Sequence, residues 1–578
     1  MIRLNVLPGL VSAAALLAPL AGETATVTYA VMGDKFAVTG NNLLSTPGNY
    51  YAGVAPVSSL TETDLRLWLY GQEAVNDLGE DFLMRRVQLT SGYGGAGVIS
   101  GDPLNIGAEG IEMKTDLATP QVQRFNCRIN AMAKAMSVAA YGEDCLYFTG
   151  LLSTTSNDTA RLQYKFTGSG TKVIAGGFRL ETRTGEGVSQ YQQSFSGGTT
   201  IVASDVYVPS ILLNNGATIV ITNGATFTVW DTNGTNGHTF LHDGTLDVVD
   251  GTFLNRGNFC TAQAVKTSPT VINVRHKGVL DTGGPGLRLS NNYKTDVNVG
   301  PGGRLYYREA GQSAFCENGE THFHVCGGKV ITGDTLNGAS RFRIGYGKTR
   351  EPTFSFGGNE LTVTDGGELS FTGFEDLSST MGNAVSFPIV FDDGRLTFNA
   401  STTVFAFGST ATAGHLSVRL REGGLTIDTF GGDVVWDAVP LDGTDVPDGT
   451  DGGLVKTGKG CLTLSAAARY KGATVVRNGT LHVSDATCLT GAVDLRPQAV
   501  LSFDGAKLTL AALTAKAGVV KLAAGQSLEL AAAPSVDGSL VFDVPVADGT
   551  VTLLTAPGLP AGLAAACAVK TPVRASCG

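Results

Sequence analysis

His322 and His324 lie two apart in the stretch Thr321, His322, Phe323, His324, Val325, Cys326. Read as a strand, that stretch sets both imidazoles and Cys326 on one face. With Cys316 close in sequence, the set has the ligand types of a zinc site, and the plainer reading is an outward polar strand face. A second candidate is the run Asp442, Asp445, Asp448 and Asp451 among Gly, Thr and Pro, whose carboxylates suit calcium in a flexible loop. It lacks the spacing of an EF-hand, and the glycine-rich nonapeptides of calcium-binding β-rolls are absent, so the plainer reading is a solvated linker. Asp392 and Asp393 are adjacent and in a strand face opposite ways, a poor arrangement for a cooperating acid and base. His238 and His242 flank an apolar turn and read as surface loop residues. No Ser, His and Asp constellation or nucleophile elbow is legible, and the glycine turns precede strands instead of helices, which leaves phosphate-binding loops unsupported. No catalytic residue and no cofactor is assigned, and the metal question stays open.

The elements that would position these groups are short strands. Of 578 residues, 77 are glycine, 43% are hydrophobic and only 16% are charged, the balance of a folded, turn-rich chain. Glycine this abundant without a three-residue period, and with 20 prolines, excludes collagen and points to many strands joined by tight turns. The net charge of −10 is scattered and no basic stripe could neutralise phosphates, so nucleic acid is not an expected partner.

From about residue 200 a glycine followed by two apolar residues one position apart recurs, as in Gly244, Leu246, Val248; Gly303, Leu305, Tyr307; Gly367, Leu369, Phe371; Gly394, Leu396, Phe398; and Gly479, Leu481, Val483. Each pair buries one strand face, so Leu369, Phe371, Leu396, Phe398, Leu481 and Val483 are expected inside, and Glu368, Ser370, Arg395 and His482 outside. A direct copy runs from Asn215 to Ile221 and again from Asn223 to Val229. Units this short bury an apolar face only by stacking, and their persistence favours a β-solenoid over a sandwich. At roughly 20 to 25 residues per coil and about 4.8 Å rise, around fifteen coils would reach on the order of 70 Å.

Residues 1–25 read as a secretory signal peptide, with Arg3, an apolar run from Val6 to Leu20 and small residues to Ala25; no later stretch has the length of a membrane span. Residues 26–200 read as an N-terminal cap or small mixed domain. Val122, Phe125, Ile129, Met132 and Met136 follow three-and-four spacing and predict a helix over 121–140, while Ser59 with Glu62 forms a capping-box pattern opening a second helix through Leu65, Trp68 and Leu69. Residues 201–440 form the expected shaft, 441–452 an Asp/Gly-rich linker, 453–556 the C-terminal coils and 557–578 a tail. Nine cysteines in an exported chain permit disulfides; Cys127 with Cys145, Cys316 with Cys326 and Cys461 with Cys488 are candidate pairs, and buried thiols stacked inside the fold are the alternative.

At Gly453 the sequence reads Gly453, Leu454, Lys456, Thr457, Gly458, Gly460, Leu462, Leu464, then Tyr470, Gly472, Thr474, Val476, then Gly479, Leu481, Val483. This resembles the autotransporter-associated β-strand repeat, in one clear copy over 453–483. The resemblance implies an all-β, right-handed parallel β-helix displayed outside the cell, in surface or secreted proteins of Gram-negative bacteria, and implies no particular activity. Leu462, Leu464, Val476, Leu481 and Val483 would point inward. No membrane barrel of alternating strands follows the repeat, so no self-contained translocator is expected. The functional expectation is a secreted or cell-surface scaffold of structural or adhesive type, contacting carbohydrate or a surface protein. The alternative is a secreted polysaccharide lyase or glycoside hydrolase on the same fold.

Overall fold

The structure, a computed structural model, describes residues 26–570 apart from several internal stretches, the longest being 181–191, 308–319, 333–341, 345–359, 377–386 and 405–415. The signal-peptide segment and Cys316 lie outside the described residues, as do Phe371, Asp445 and Asp448.

Short strands dominate because each glycine turn is followed by one inward-facing apolar pair, too little to bury alone. They stack into a 16-stranded and a 28-stranded sheet, continued at the C-terminal end by an eight-stranded and a three-stranded sheet. All pairing between these strands is parallel, which defines a parallel β-helix. Its phase is set by inward residues: Val202, Ile221, Val248, Val274, Val299 and Val325 follow one another along the 16-stranded sheet. A second inward column runs Val206, Phe227, Phe253, Leu280, Leu305 and Val330. Inserts of different length leave between strands, and the phase survives them because a one-residue slip would turn every apolar side chain outward.

The repeated Asn-Gly-Ala-Thr segments occupy consecutive faces of one coil. Strands Thr218–Ile221 and Thr226–Val229 lie in different sheets and pair with different neighbours. Their turns place Asn215, Gly216, Asn223 and Gly224 at positive φ, the conformation those residue types tolerate best.

The alternation expected at the glycine-led pairs is present wherever side chains are described. Leu396, Phe398, Leu481 and Val483 are buried, while Arg395 and His482 face out with 42% and 26% of their side chains exposed. Glu368–Ser370 is a strand that pairs in the same ladder, Leu369 opposite Leu396. Because Leu481 sits between Leu462 and Leu501 in its column, Leu481→Ala should cost about 2–5 kcal/mol, measured as a shift in the denaturant midpoint against wild type.

Two expected helices are strands. The segment 121–140 is divided into strands Val122–Phe125, Ile129–Ala131 and Ala135–Ala140. Phe125, Ile129 and Met136 are fully buried, each from a different strand. Their helical spacing is a coincidence of strand alternation and corner turns, and the other two residues of the expected stripe are outside the core, Val122 exposed and Met132 half-buried. Ser59–Trp68 is likewise a strand, parallel to Val27–Met32. The capping contact itself forms, the Glu62 N–H donating to Ser59 Oγ at 3.1 Å, but Leu65 and Leu67 are buried at period two. Ahead of this strand come the short 3-10 turn Gly33–Lys35 and helix Phe36–Thr39, with Phe36, Leu44 and Tyr50 packed into the core. The ladder then runs on through residue 200, strand Thr171–Ile174 pairing with Thr199–Val202 and that with Thr218–Ile221.

The interior is layered. Phe166, Phe195, Phe227 and Phe253 follow one another at centroid spacings of 4.9, 6.3 and 5.3 Å, the first and last pairs stacked and the middle pair tilted by 59°. Asn130 donates to Asn105 Oδ1 at 2.8 Å and accepts from Ser153 Oγ at 2.8 Å, so these three polar side chains satisfy one another along the axis.

Candidate functional site

The outer face of the 16-stranded sheet carries the chemistry that the sequence put forward. In strand Thr321–Cys326, Phe323 and Val325 point inward, leaving His322, His324 and Cys326 together on the outside. Stacking places Asp296 beside His322 and Asn298 beside His324. His322 Nδ1 is 3.2 Å from Asp296 Oδ1, and Nε2 is 2.5 Å from Glu320 Oε1. Lys294 Nζ lies 3.6 Å from Asp296 and 3.7 Å from Glu320. The imidazole is therefore held between two carboxylates with an ammonium beside them, an arrangement suited to proton exchange or polar recognition. Among the described residues no three His, Cys, Asp or Glu side chains gather as a metal-binding group.

The same face continues as a column Asp247, Asn273, Asn298, His324. Arg275 Nε and Nη2 reach Asp247 at 3.1 and 2.7 Å, and this bond raises the Arg275 pKa further. Asn298 Nδ2 donates to Asn273 Oδ1 at 2.9 Å.

Other sequence candidates separate. Asp392 Oδ1 accepts from the Gly423 N–H at 2.7 Å, whereas Asp393 is exposed in a turn at φ 57°, so the two make no acid and base pair. His238 is no loop residue; it opens strand His238–Leu241, half-buried, and burial lowers its pKa. The 441–452 stretch begins as strand Leu441–Asp442. Its Asp451 is turned inward, 2% exposed, accepting from the N–H groups of Gly453, Lys471 and Gly472 at 3.0, 2.6 and 2.8 Å. That carboxylate closes a turn, and is not offered to a cation as the acidic spacing suggested. Cys127, Cys145, Cys461 and Cys488 are free thiols, so the pairs Cys127 with Cys145 and Cys461 with Cys488 do not form. Desolvation pushes the Cys127 thiol up to about 12, which leaves it inert.

Two features were missed in the sequence. The first is a pair of caged lysines. Lys172 and Lys456 are fully buried, although long charged side chains almost never are. Lys456 Nζ donates to Thr429 Oγ1 at 3.1 Å and to the carbonyls of Thr457, Gly458 and Asn478 at 2.9, 2.8 and 2.9 Å. Lys172 Nζ reaches the carbonyls of Thr167, Gly168, Gly170 and Gly197 at 3.0–3.3 Å. Both cages use a Thr-Gly-x-Gly corner, Thr167 to Gly170 and Thr457 to Gly460, and that shared tetrapeptide was the available signal. Gly479 is needed beside the second cage, since a Cβ there would fall 2.5 Å from the carbonyls of Gly458 and Gly460.

The second is a trio on the outer face of the C-terminal coils. His482 Nδ1 is 3.0 Å from Ser502 Oγ, and its Nε2 is 3.3 Å from Asp504 Oδ2. Sequence could supply the outward alternation of each strand; which residue stacks on which depends on coil length and was not readable.

The coils and their outward ladders thus place the chain among parallel β-helix proteins. Residues 454–483 match the passenger-associated-transport-repeat, within the segment 453–483 that resembles the autotransporter-associated repeat. Comparison with curated proteins and with solved structures finds no match. No helix among the described residues is long and apolar enough to cross a membrane.

Proposed function

We propose that this chain is a passenger-like, right-handed β-solenoid, exported through its N-terminal segment and displayed at or beyond the cell surface as a rigid scaffold. It contacts carbohydrate or a surface protein through side chains repeated on successive coils. The observation that carries this reading is the in-phase stacking, which lines up Asp247, Asn273, Asn298 and His324 on four successive rungs along a single face. Such a column builds affinity from many weak contacts. The repeat match at 454–483 supports display outside the cell.

The test has two arms. Protease treatment of intact cells should degrade the chain while a cytoplasmic marker survives. On arrays of neutral and acidic polysaccharides and of surface proteins, binding by the purified chain should fall by less than about tenfold for Asn273→Ala or Asn298→Ala alone and far more for the double variant. Protection from the protease on intact cells would overturn the localisation.

One observation favours an enzyme instead, the Asp296, Glu320, Lys294 and His322 cluster. A polysaccharide lyase or hydrolase would show reproducible chain cleavage lost in Glu320→Gln, and that result would replace the scaffold reading.

A further inference from the structure

We propose that Ser502 is a nucleophile for acyl transfer, with His482 as its base and Asp504 orienting the base, in an ester-hydrolysing site on the C-terminal coils. His482 and Ser502 are direct partners of neighbouring parallel strands, Gly479–Val483 and Ala499–Phe503. Their inward neighbours Leu481, Val483, Leu501 and Phe503 are at most 3% exposed, which fixes both backbones and hence the separation of the two side chains. With the Nε2 proton donated to Asp504, Nδ1 keeps its lone pair for the Ser502 hydroxyl at 3.0 Å. Nucleophile, base and orienter are each within hydrogen-bond reach of the next, which is the geometry that activates a serine.

His482 and Ser502 also line an open hollow of about 520 Å³, with Lys521, Leu522, Gln526 and Asp543 among its walls. Backbone donors are spent here, the Asp504 N–H on Val483 O and the Ala523 N–H on the Gln526 side chain. Stabilisation of an oxyanion therefore falls to Lys521, which follows Val520, the partner of Leu501. An open hollow with one cation suits an uncharged ester, such as an acyl group on a polymer, better than a buried peptide bond.

The reaction balances without a cofactor. Ser502 Oγ attacks the acyl carbon, its proton passes to His482, and the carbon–oxygen bond to the alcohol breaks as the alcohol leaves with that proton. Water then gives a proton to His482 and attacks the acyl carbon; the bond to Ser502 Oγ breaks, the serine regains a proton and a carboxylic acid departs.

A fluorophosphonate probe should label the purified full chain on the peptide containing Ser502, read by mass spectrometry. The same protein should hydrolyse 4-nitrophenyl acetate, with a loss of about 10²-fold or more in Ser502→Ala and in His482→Gln. Lys521→Met should lower kcat with KM nearly unchanged. Circular dichroism checks that each variant keeps its sheet content; should Ser502→Ala not fold, labelling of the wild-type chain decides alone. Hydrolysis unchanged in folded Ser502→Ala, or wild-type protein left unlabelled at Ser502, would overturn the proposal.

Discussion

Lys456→Ala should lower the stability of the C-terminal coils by about 2–5 kcal/mol, seen as a shifted denaturant midpoint and as early loss of amide protection in strands 454–457 and 474–476. The variant removes the only donor shared by four oxygens that belong to three successive coils, those of Thr429, of Thr457 with Gly458, and of Asn478. The Gly458 and Asn478 carbonyls lose this donor at a desolvation cost, the Thr457 carbonyl keeps the Thr429 N–H at 3.1 Å and Oγ1–H at 3.2 Å, and the truncated side chain leaves a cavity as well. Lys456→Met should recover the packing share of the loss and leave the polar share.

The pH dependence has a definite sign. Burial pulls the Lys456 pKa down from 10.5 to about 8. Between those values the unfolded chain binds more protons than the folded one, so the contribution of this lysine to stability rises with pH across that window and is flat below it. The stability gap between wild type and Lys456→Ala should accordingly widen from pH 8 to pH 10 in urea titrations. A gap that narrows would show that the oxygen cage holds the proton more tightly than burial releases it.

The second large effect is expected at Trp436→Ala, at about 3–5 kcal/mol. Trp436 has no exposed surface and lies in an inward column between Val404 and Leu464, with its indole N–H donating to Val439 O at 2.8 Å. That bond ties the strand Val434–Trp436 to the turn leading into 441–452. Because coils interact mainly with their nearest neighbours, the loss should be local. Hydrogen exchange should quicken in strands 402–404 and 461–464 before it quickens in strands 199–202 and 218–221. Uniform acceleration along the chain would mean that the solenoid unfolds as one unit.

Sequence by itself determined the inward and outward alternation, the glycine-led turns, the parallel solenoid and the passenger-type repeat at 454–483, because each rests on contacts within one coil or on a motif of fixed spacing. It failed over 121–140 and at Ser59, where local signals for a helix were genuine and stacking on neighbouring coils outweighed them: a strand there buries Phe125, Ile129, Met136, Leu65 and Leu67 against existing coils, whereas an isolated helix would not. Only the tertiary structure decided what depends on one coil lying against the next. It turned Lys172, Lys456 and Asp451 inward, since a neighbouring coil completes the set of oxygens or N–H groups that satisfies each of them. It set His322 beside Asp296, and His482 beside Ser502, for the same reason: insert length fixes which rungs meet, and alternation within a strand carries no record of it.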